Sequence, residues 1–155
     1  MKDKFYYKDG TTSSEHDRSK ALHRTDGPAI EYADGDKIWY VDGKLHRTGG
    51  PAVEQANGRR SWYVDGKLHR TGGPAVEQAN GRRSWYVDGK LHRTDGPAVE
   101  HTNGKRSWYV DGKELKTLTK KSLIIHMKAN NLTPAHLLTD PDDMLRESAE
   151  KYKWS

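Results

Sequence analysis

The chain has 155 residues, 32% of them hydrophobic and 32% charged, with 15 glycines, a mean hydropathy of −1.08 and a formal net charge of +5. This composition excludes a large apolar core, while five Trp and eight Tyr exclude the aromatic-poor make-up of a disordered chain, which leaves a thin-cored, turn-rich ordered protein. The absence of cysteine excludes a disulfide framework and a thiolate metal site, and the longest apolar run, Leu123 to Ile125, is too short to span a membrane. The opening Met-Lys-Asp-Lys lacks the apolar stretch of a secretory signal, so a cytosolic location is the default expectation.

Residues 1–21 are expected to form an N-terminal half-repeat with an insert. Phe5-Tyr-Tyr-Lys-Asp-Gly10 imitates the Trp-Tyr-Val-Asp-Gly found further on, but ten additional residues separate Gly10 from His23. Rich in Thr11, Thr12, Ser13, Ser14 and charged residues, the insert suits a mobile loop or a short helix.

Residues 22–113 hold four copies of a 23-residue unit, starting at Leu22, Leu45, Leu68 and Leu91, and copies two and three are identical throughout. Each copy contains an Asn-Gly or Asp-Gly step after Pro-Ala-(Val/Ile)-Glu and a second Asp-Gly after Trp-Tyr-Val, so each is expected to turn through type I′ hairpins. Lys67 to Gln78 is expected to be one long strand bent at Gly72-Gly73-Pro74, giving two strands per copy and about eight in all. The predicted fold is mostly β, an antiparallel meander of stacked hairpin repeats with a small α-helical C-terminal cap. Equivalent residues stack about 10 Å apart, two strand spacings. Trp62 and Tyr63, adjacent in one strand, are expected on opposite faces, one ladder buried and the other semi-exposed.

The 23-residue period, the Asn-Gly and Asp-Gly turns and the run Trp-Tyr-Val-Asp-Gly-Lys-Leu-His resemble a variant of the membrane occupation and recognition nexus (MORN) repeat across residues 22–113. Arg-Ser-Trp-Tyr-Val stands where that repeat usually has Tyr-x-Gly-x-Trp. The His-Arg-x-x-Gly-Pro-Ala form is similar to repeats of phage, giant-virus and bacterial proteins, some of the last labelled antitoxin-like. The resemblance implies an extended sheet that binds proteins or lipids without catalytic residues, and a phage-like inhibitor of a host defence or nuclease protein as one role.

Residues 114–155 carry helix signals: Ser122 to Lys128 as a first helix, then Thr133-Pro134 and Asp140-Pro141 as N-cap and first-turn pairs, with Asp142 and Asp143 at the positive end of the dipole. Met144, Leu145, Ser148, Ala149 and Tyr152 form a helical apolar stripe, expected to cap the last strand.

The four repeated histidines, about 10 Å apart, cannot share one ion, and are expected to hydrogen-bond a neighbouring turn or carboxylate. A repeat offers copies of one side-chain set rather than a converging nucleophile, base and oxyanion donor, so neither enzymatic activity nor a cofactor is expected. Glu54, Glu77 and Glu100 are expected to pair with arginines. Copy one has three basic and five acidic residues, net −2; copies two and three have four and two, net +2; copy four has four and three, net +1. The resulting basic stripe places Arg59, Arg60, Arg82, Arg83, Lys105 and Arg106 beside the Asn-Gly turns. With Trp62, Trp85, Trp108, Tyr63, Tyr86 and Tyr109 they form the candidate partner-binding set, because arginines and aromatics dominate interface hot spots. The expected partner is a protein with an acidic surface. The alternatives are nucleic acid along the basic edge, with aromatics as stacking platforms, and a small anionic nucleotide held between sheet and cap. No membrane partner is expected, since exposed apolar anchors are missing.

Overall fold

The computed structural model describes residues 1–152, so the last three residues of the expected cap, 153–155, lie outside the described residues. The chain is mostly β, an antiparallel meander of short strands followed by three helices. It divides into two compact units, Met1–Gly89 and Lys90–Ser155. Among the described residues no helix is long and apolar enough to cross a membrane.

Each copy turns twice, by two different devices. The second turn has positive φ at both central residues, 48° at Asp65 and 79° at Gly66, the expected type I′ geometry. The first turn departs from expectation, because its positive φ falls on Gly58 alone, at 92°. Asn57 Oδ1 accepts from Arg59 N at 2.9 Å, and Gly58 N donates to Gln55 O at 2.9 Å, so the side chain of Asn57 holds a right-handed turn and hands the left-handed position to glycine.

In the first unit the main sheet runs in the order Thr12–Ser13, Lys4–Tyr6, Ile30–Glu31, Lys37–Ile38, Val53–Glu54, Arg60–Ser61, Val76–Glu77, Arg83–Ser84, all antiparallel. A second set of small hairpins pairs Tyr40–Val41 with Lys44–Leu45 and Tyr63–Val64 with Lys67–Leu68. The expected two strands per copy are therefore four two-residue strands. The break falls at the tryptophan: Trp62 N donates to Ala75 O at 2.8 Å, while Trp62 O accepts from His69 N at 3.1 Å, so one residue passes the ladder from the main sheet to the small hairpin. Gly72-Gly73-Pro74 is likewise a loop between the two sets rather than a bulge within one strand. Pro74 has no N–H to give a ladder, and its carbonyl is taken by Arg70 at 2.9 Å.

The aromatics do not divide, as expected, into one buried and one semi-exposed ladder. Trp39 and Trp108 are buried, Trp62 and Trp85 are half-buried, and Tyr40, Tyr63, Tyr86 and Tyr109 are all half-buried. The wholly buried residues of the repeats are alanines, Ala29, Ala52 and Ala75 in the first unit and Ala98 in the second.

At the N-terminus Tyr6 takes the tryptophan's place: its N donates to Ala29 O at 2.9 Å, as Trp39 N does to Ala52 O at 2.7 Å. The insert contains no helix. It begins with the edge strand Thr12–Ser13 and continues as a loop pinned by Tyr7, whose hydroxyl donates to Glu15 O at 3.1 Å and accepts from Asp17 N at 2.7 Å.

In the second unit Val99–Glu100 pairs with Arg106–Ser107, and Tyr109–Val110 with Lys113–Glu114. Three helices follow: α1 at Lys120–Asn130, α2 at Pro134–Leu138 and α3 at Asp143–Lys151. Thr119 caps α1 by accepting from Ser122 N at 3.1 Å, and Asn131 closes it in the left-handed region at φ 52°. Thr133 precedes α2 with Pro134 in its first turn, as expected. The cap of α3 is Asp142, whose Oδ1 accepts from Leu145 N at 3.2 Å, two residues beyond the expected Asp140. Asp140 is otherwise engaged, accepting from Arg106 at 2.8 Å and from Asp142 N at 2.9 Å. Leu118, Leu123, Leu137, Leu145 and Ala149 enclose Trp108, with Met144 and Tyr152 packed against them. Each buried leucine contributes roughly 1.5–3 kcal/mol. The largest fully buried side chains thus lie in the C-terminal unit, while a second apolar cluster of Phe5, Tyr7, Leu22, Ala29 and Ile30 sits at the N-terminal end of the repeats.

Candidate functional site

The cation that organises each copy is the arginine of Leu-His-Arg-Thr. Arg47 Nη1 donates to Pro51 O at 3.0 Å and to Glu54 Oε1 at 2.7 Å, and its guanidinium lies 3.8 Å from the centre of the Trp39 ring. Arg70 repeats this with Pro74, Glu77 and Trp62, again at 3.8 Å from the ring. Stacking on a ring face adds roughly 0.5–2 kcal/mol. The expected pairing of Glu54, Glu77 and Glu100 with arginines is met here, through Arg47, Arg70 and Arg93. Glycine follows from the same packing: a Cβ on Gly50 would lie 2.9 Å from Arg47 Cζ, and one on Gly73 3.0 Å from Arg70 Cζ.

The repeated histidines fasten the start of each copy to that copy's own Asp-Gly turn. His46 Nδ1 lies 3.2 Å from Asp65 N, His69 Nδ1 3.2 Å from Asp88 N, and His92 Nδ1 3.1 Å from Asp111 N. His23 does the same to Asp42 at 3.0 Å. This is the structural role expected of them. Lys8, 2.8 Å from Asp42, holds that carboxyl below the usual carboxylate range.

Two open clefts result, one the image of the other at 23-residue register. The first, about 540 Å³, is lined by Arg24, Thr25, Asp26, Gly27, Trp39, Val41, His46, Arg47 and Thr48. The second, about 370 Å³, is lined by Arg47, Thr48, Gly49, Gly50, Trp62, Val64, His69, Arg70 and Thr71. Arg47 is shared by both. Such a surface offers cationic and hydroxyl donors over the rim of an indole, repeated at a fixed step.

Of the candidate residues, the clefts take in Trp62 alone. Arg59, Arg60, Arg83 and Lys105 are exposed and form no ion pair among the described residues. Arg82 is half-buried, with an Nε that has no acceptor among the described residues. Arg106 is bound to Asp140 and, with Lys105, lines a cleft of about 480 Å³ against Pro141, Asp142, Asp143 and Met144. Trp108, 3% exposed, is core and presents no binding surface, and Trp85 is half-buried. Tyr63 faces Leu68 and Tyr109 faces Glu114 in small hairpins, while Tyr86 is half-buried. Sequence reasoning missed Arg47, Arg70, His46 and His69 as cleft residues. The signal was present in the invariable seven-residue step from each of these arginines to a glutamate, which marks a paired and therefore positioned cation.

No family model, curated protein or solved structure matches the chain.

Proposed function

We propose that the chain is a non-enzymatic repeat-array module, of MORN-like kind, that binds a protein partner with an acidic surface. The observation that carries this reading is the cleft that recurs at 23-residue register with the same arginine, tryptophan, histidine and threonine. Repeated identical sites suit a multivalent contact, in which a second engagement is intramolecular and avidity rises steeply. Inhibition of a host nuclease or defence protein is the role that the phage-like resemblance adds.

Nucleic acid is the second reading, favoured by the exposed Arg59, Arg60, Arg83 and Lys105. Against it, one face of Trp39 and one of Trp62 are already covered by the protein's own arginines, which removes them as open stacking platforms. The test compares the full chain with a variant lacking residues 68–90, which recreates a native Lys-Leu junction. Binding of an acidic protein in nuclease-treated lysate is expected, with affinity falling at least about tenfold on excision. Nucleic-acid binding is expected to be weak and to collapse between low and physiological salt. Tight, salt-resistant nucleic-acid binding, or protein binding unchanged by the excision, overturns the reading.

A further inference from the structure

The four copies differ at one position of the arginine loop. In copies one and four it is aspartate, and Asp26 accepts from Arg24 Nε at 2.8 Å just as Asp95 accepts from Arg93 Nε at 2.8 Å. In copies two and three it is glycine, Gly49 and Gly72, with φ of 78° and 79° and open space where a Cβ would stand. Arg47 and Arg70 keep their bonds to the proline carbonyl and to glutamate, but their Nε atoms have no acceptor among the described residues. They are also the more open pair, each 30% exposed against 24% for Arg24 and 16% for Arg93. The outer copies thus display the ligand chemistry that the inner copies lack: a carboxylate on the Nε edge of a guanidinium already locked in place by glutamate, and in copies one to three by a stacked ring as well.

We propose that Arg47 and Arg70 are two carboxylate-binding sites, one repeat apart, that take glutamate or aspartate side chains of an acidic segment of a partner protein, with Asp26 and Asp95 as built-in occupants of the same position in the outer copies. This rests on the protein-binding reading above. Both arginines are pre-organised by their bonds to Pro51, Glu54, Pro74 and Glu77, so little side-chain freedom is lost on binding. The sites lie about 10 Å apart, two strand spacings. A polyproline II segment returns to the same side every third residue and rises about 9 Å in doing so, which sets two acidic residues three apart at nearly this step.

The test uses the full chain labelled with nitrogen-15, reading the arginine Nε–Hε resonances as a capped Glu-Pro-Pro-Glu peptide is added. Arg47 and Arg70 are expected to respond and Arg24 to remain silent, with a capped Gln-Pro-Pro-Gln peptide giving no response. The double variant Gly49→Asp, Gly72→Asp places in copies two and three the residue that copies one and four already carry, and is expected to weaken binding at least about tenfold. The single variant Asp26→Gly is expected to make Arg24 respond. Acetate at matched charge separates bare anion screening from peptide recognition: it is expected to act at least about tenfold more weakly than the divalent peptide. Equal response to the glutamine peptide, equal potency of acetate, or undiminished binding by a folded double variant overturns the proposal. Should the double variant fail to fold, a silent Arg24 in Asp26→Gly overturns it instead. If an acidic protein still binds the double variant as it binds the native chain, the carboxylate sites fall while the protein-binding reading stands; if only nucleic acid binds, that reading falls as well.

Discussion

His46 Nδ1 sits 3.2 Å from the backbone N of Asp65 and 3.1 Å from its carboxylate Oδ1, so one ring atom holds the Asp-Gly turn of its own copy. Nδ1 cannot serve both at once: without a proton it accepts from the N–H, and with one it donates to the carboxylate. Because the Asp65 side chain is 76% exposed, the ion pair contributes little, and the backbone bond carries the contact. His46→Ala is therefore expected to destabilise by about 1 kcal/mol in urea unfolding, while Asp65→Asn, which keeps the N–H and tolerates φ of 48°, stays within about 0.5 kcal/mol of the native chain. Equal losses would assign the contact to the carboxylate.

The two glycines of copy two fail for different reasons when replaced. Gly49→Ala meets open space but a φ of 78°, so it is expected to cost about 1 kcal/mol whatever stands at position 47. Gly50→Ala drives a methyl against Arg47 Cζ, and its cost is expected to shrink by more than half in an Arg47→Gln background. A double-mutant cycle by denaturant unfolding measures both couplings.

Asp140 and Asp142 are two residues apart and do different work. Asp142→Ala removes the cap of α3 and is expected to cost about 1 kcal/mol. Asp140→Ala strands Arg106, which is 33% exposed, and is expected to cost about 2 kcal/mol, with Arg106→Gln in the same background adding little. Thermal unfolding followed by circular dichroism separates the two.

His126 supplies a pH dependence. It is 5% exposed, stands edge-on to Trp108 with ring centres 5.0 Å apart, and is bonded by Asn130. Burial pushes its proton affinity below the ordinary 6.5, reinforced by Arg106 and Arg93 and opposed by its bond to the Asp95 backbone and by Asp140. The unfolded chain then takes up a proton that the folded chain refuses, so this contribution is full above 6.5 and declines as pH falls below it. Trp108 fluorescence is expected to report a falling midpoint of unfolding from about pH 7 to about pH 5, flattened in His126→Gln. An unchanged slope in that variant would remove His126 as the cause.

The periodicity of the chain, its Asp-Gly turns and the apolar stripe of α3 were legible because each depends on residues near one another in sequence. The break at Trp62 was not, since it arises from a choice between two distant partners, Ala75 for the N–H and His69 for the C=O. The cleft was half legible. Trp62 is legible as an aromatic and Arg59 and Arg60 as unpaired cations, whereas Arg47 and Arg70 matter because they are already paired and hence fixed. Arg106 misled for the converse reason: its partner, Asp140, lies 34 residues away.

Because every latch runs from a histidine to the Asp-Gly turn of its own copy, each copy carries its own clasp, like a link that is closed before it is joined to a chain. Counting 23 residues on from His92 arrives at Leu115, whose N donates to Trp108 O at 2.8 Å as His46 N does to Trp39 O at 3.2 Å. The backbone there still obeys the repeat, but the side chain has no imidazole with which to close a further latch, and it packs on the Trp108 cluster instead. The series of clasps thus closes at His92, while the backbone register that joins one copy to the next runs one step further, to Leu115.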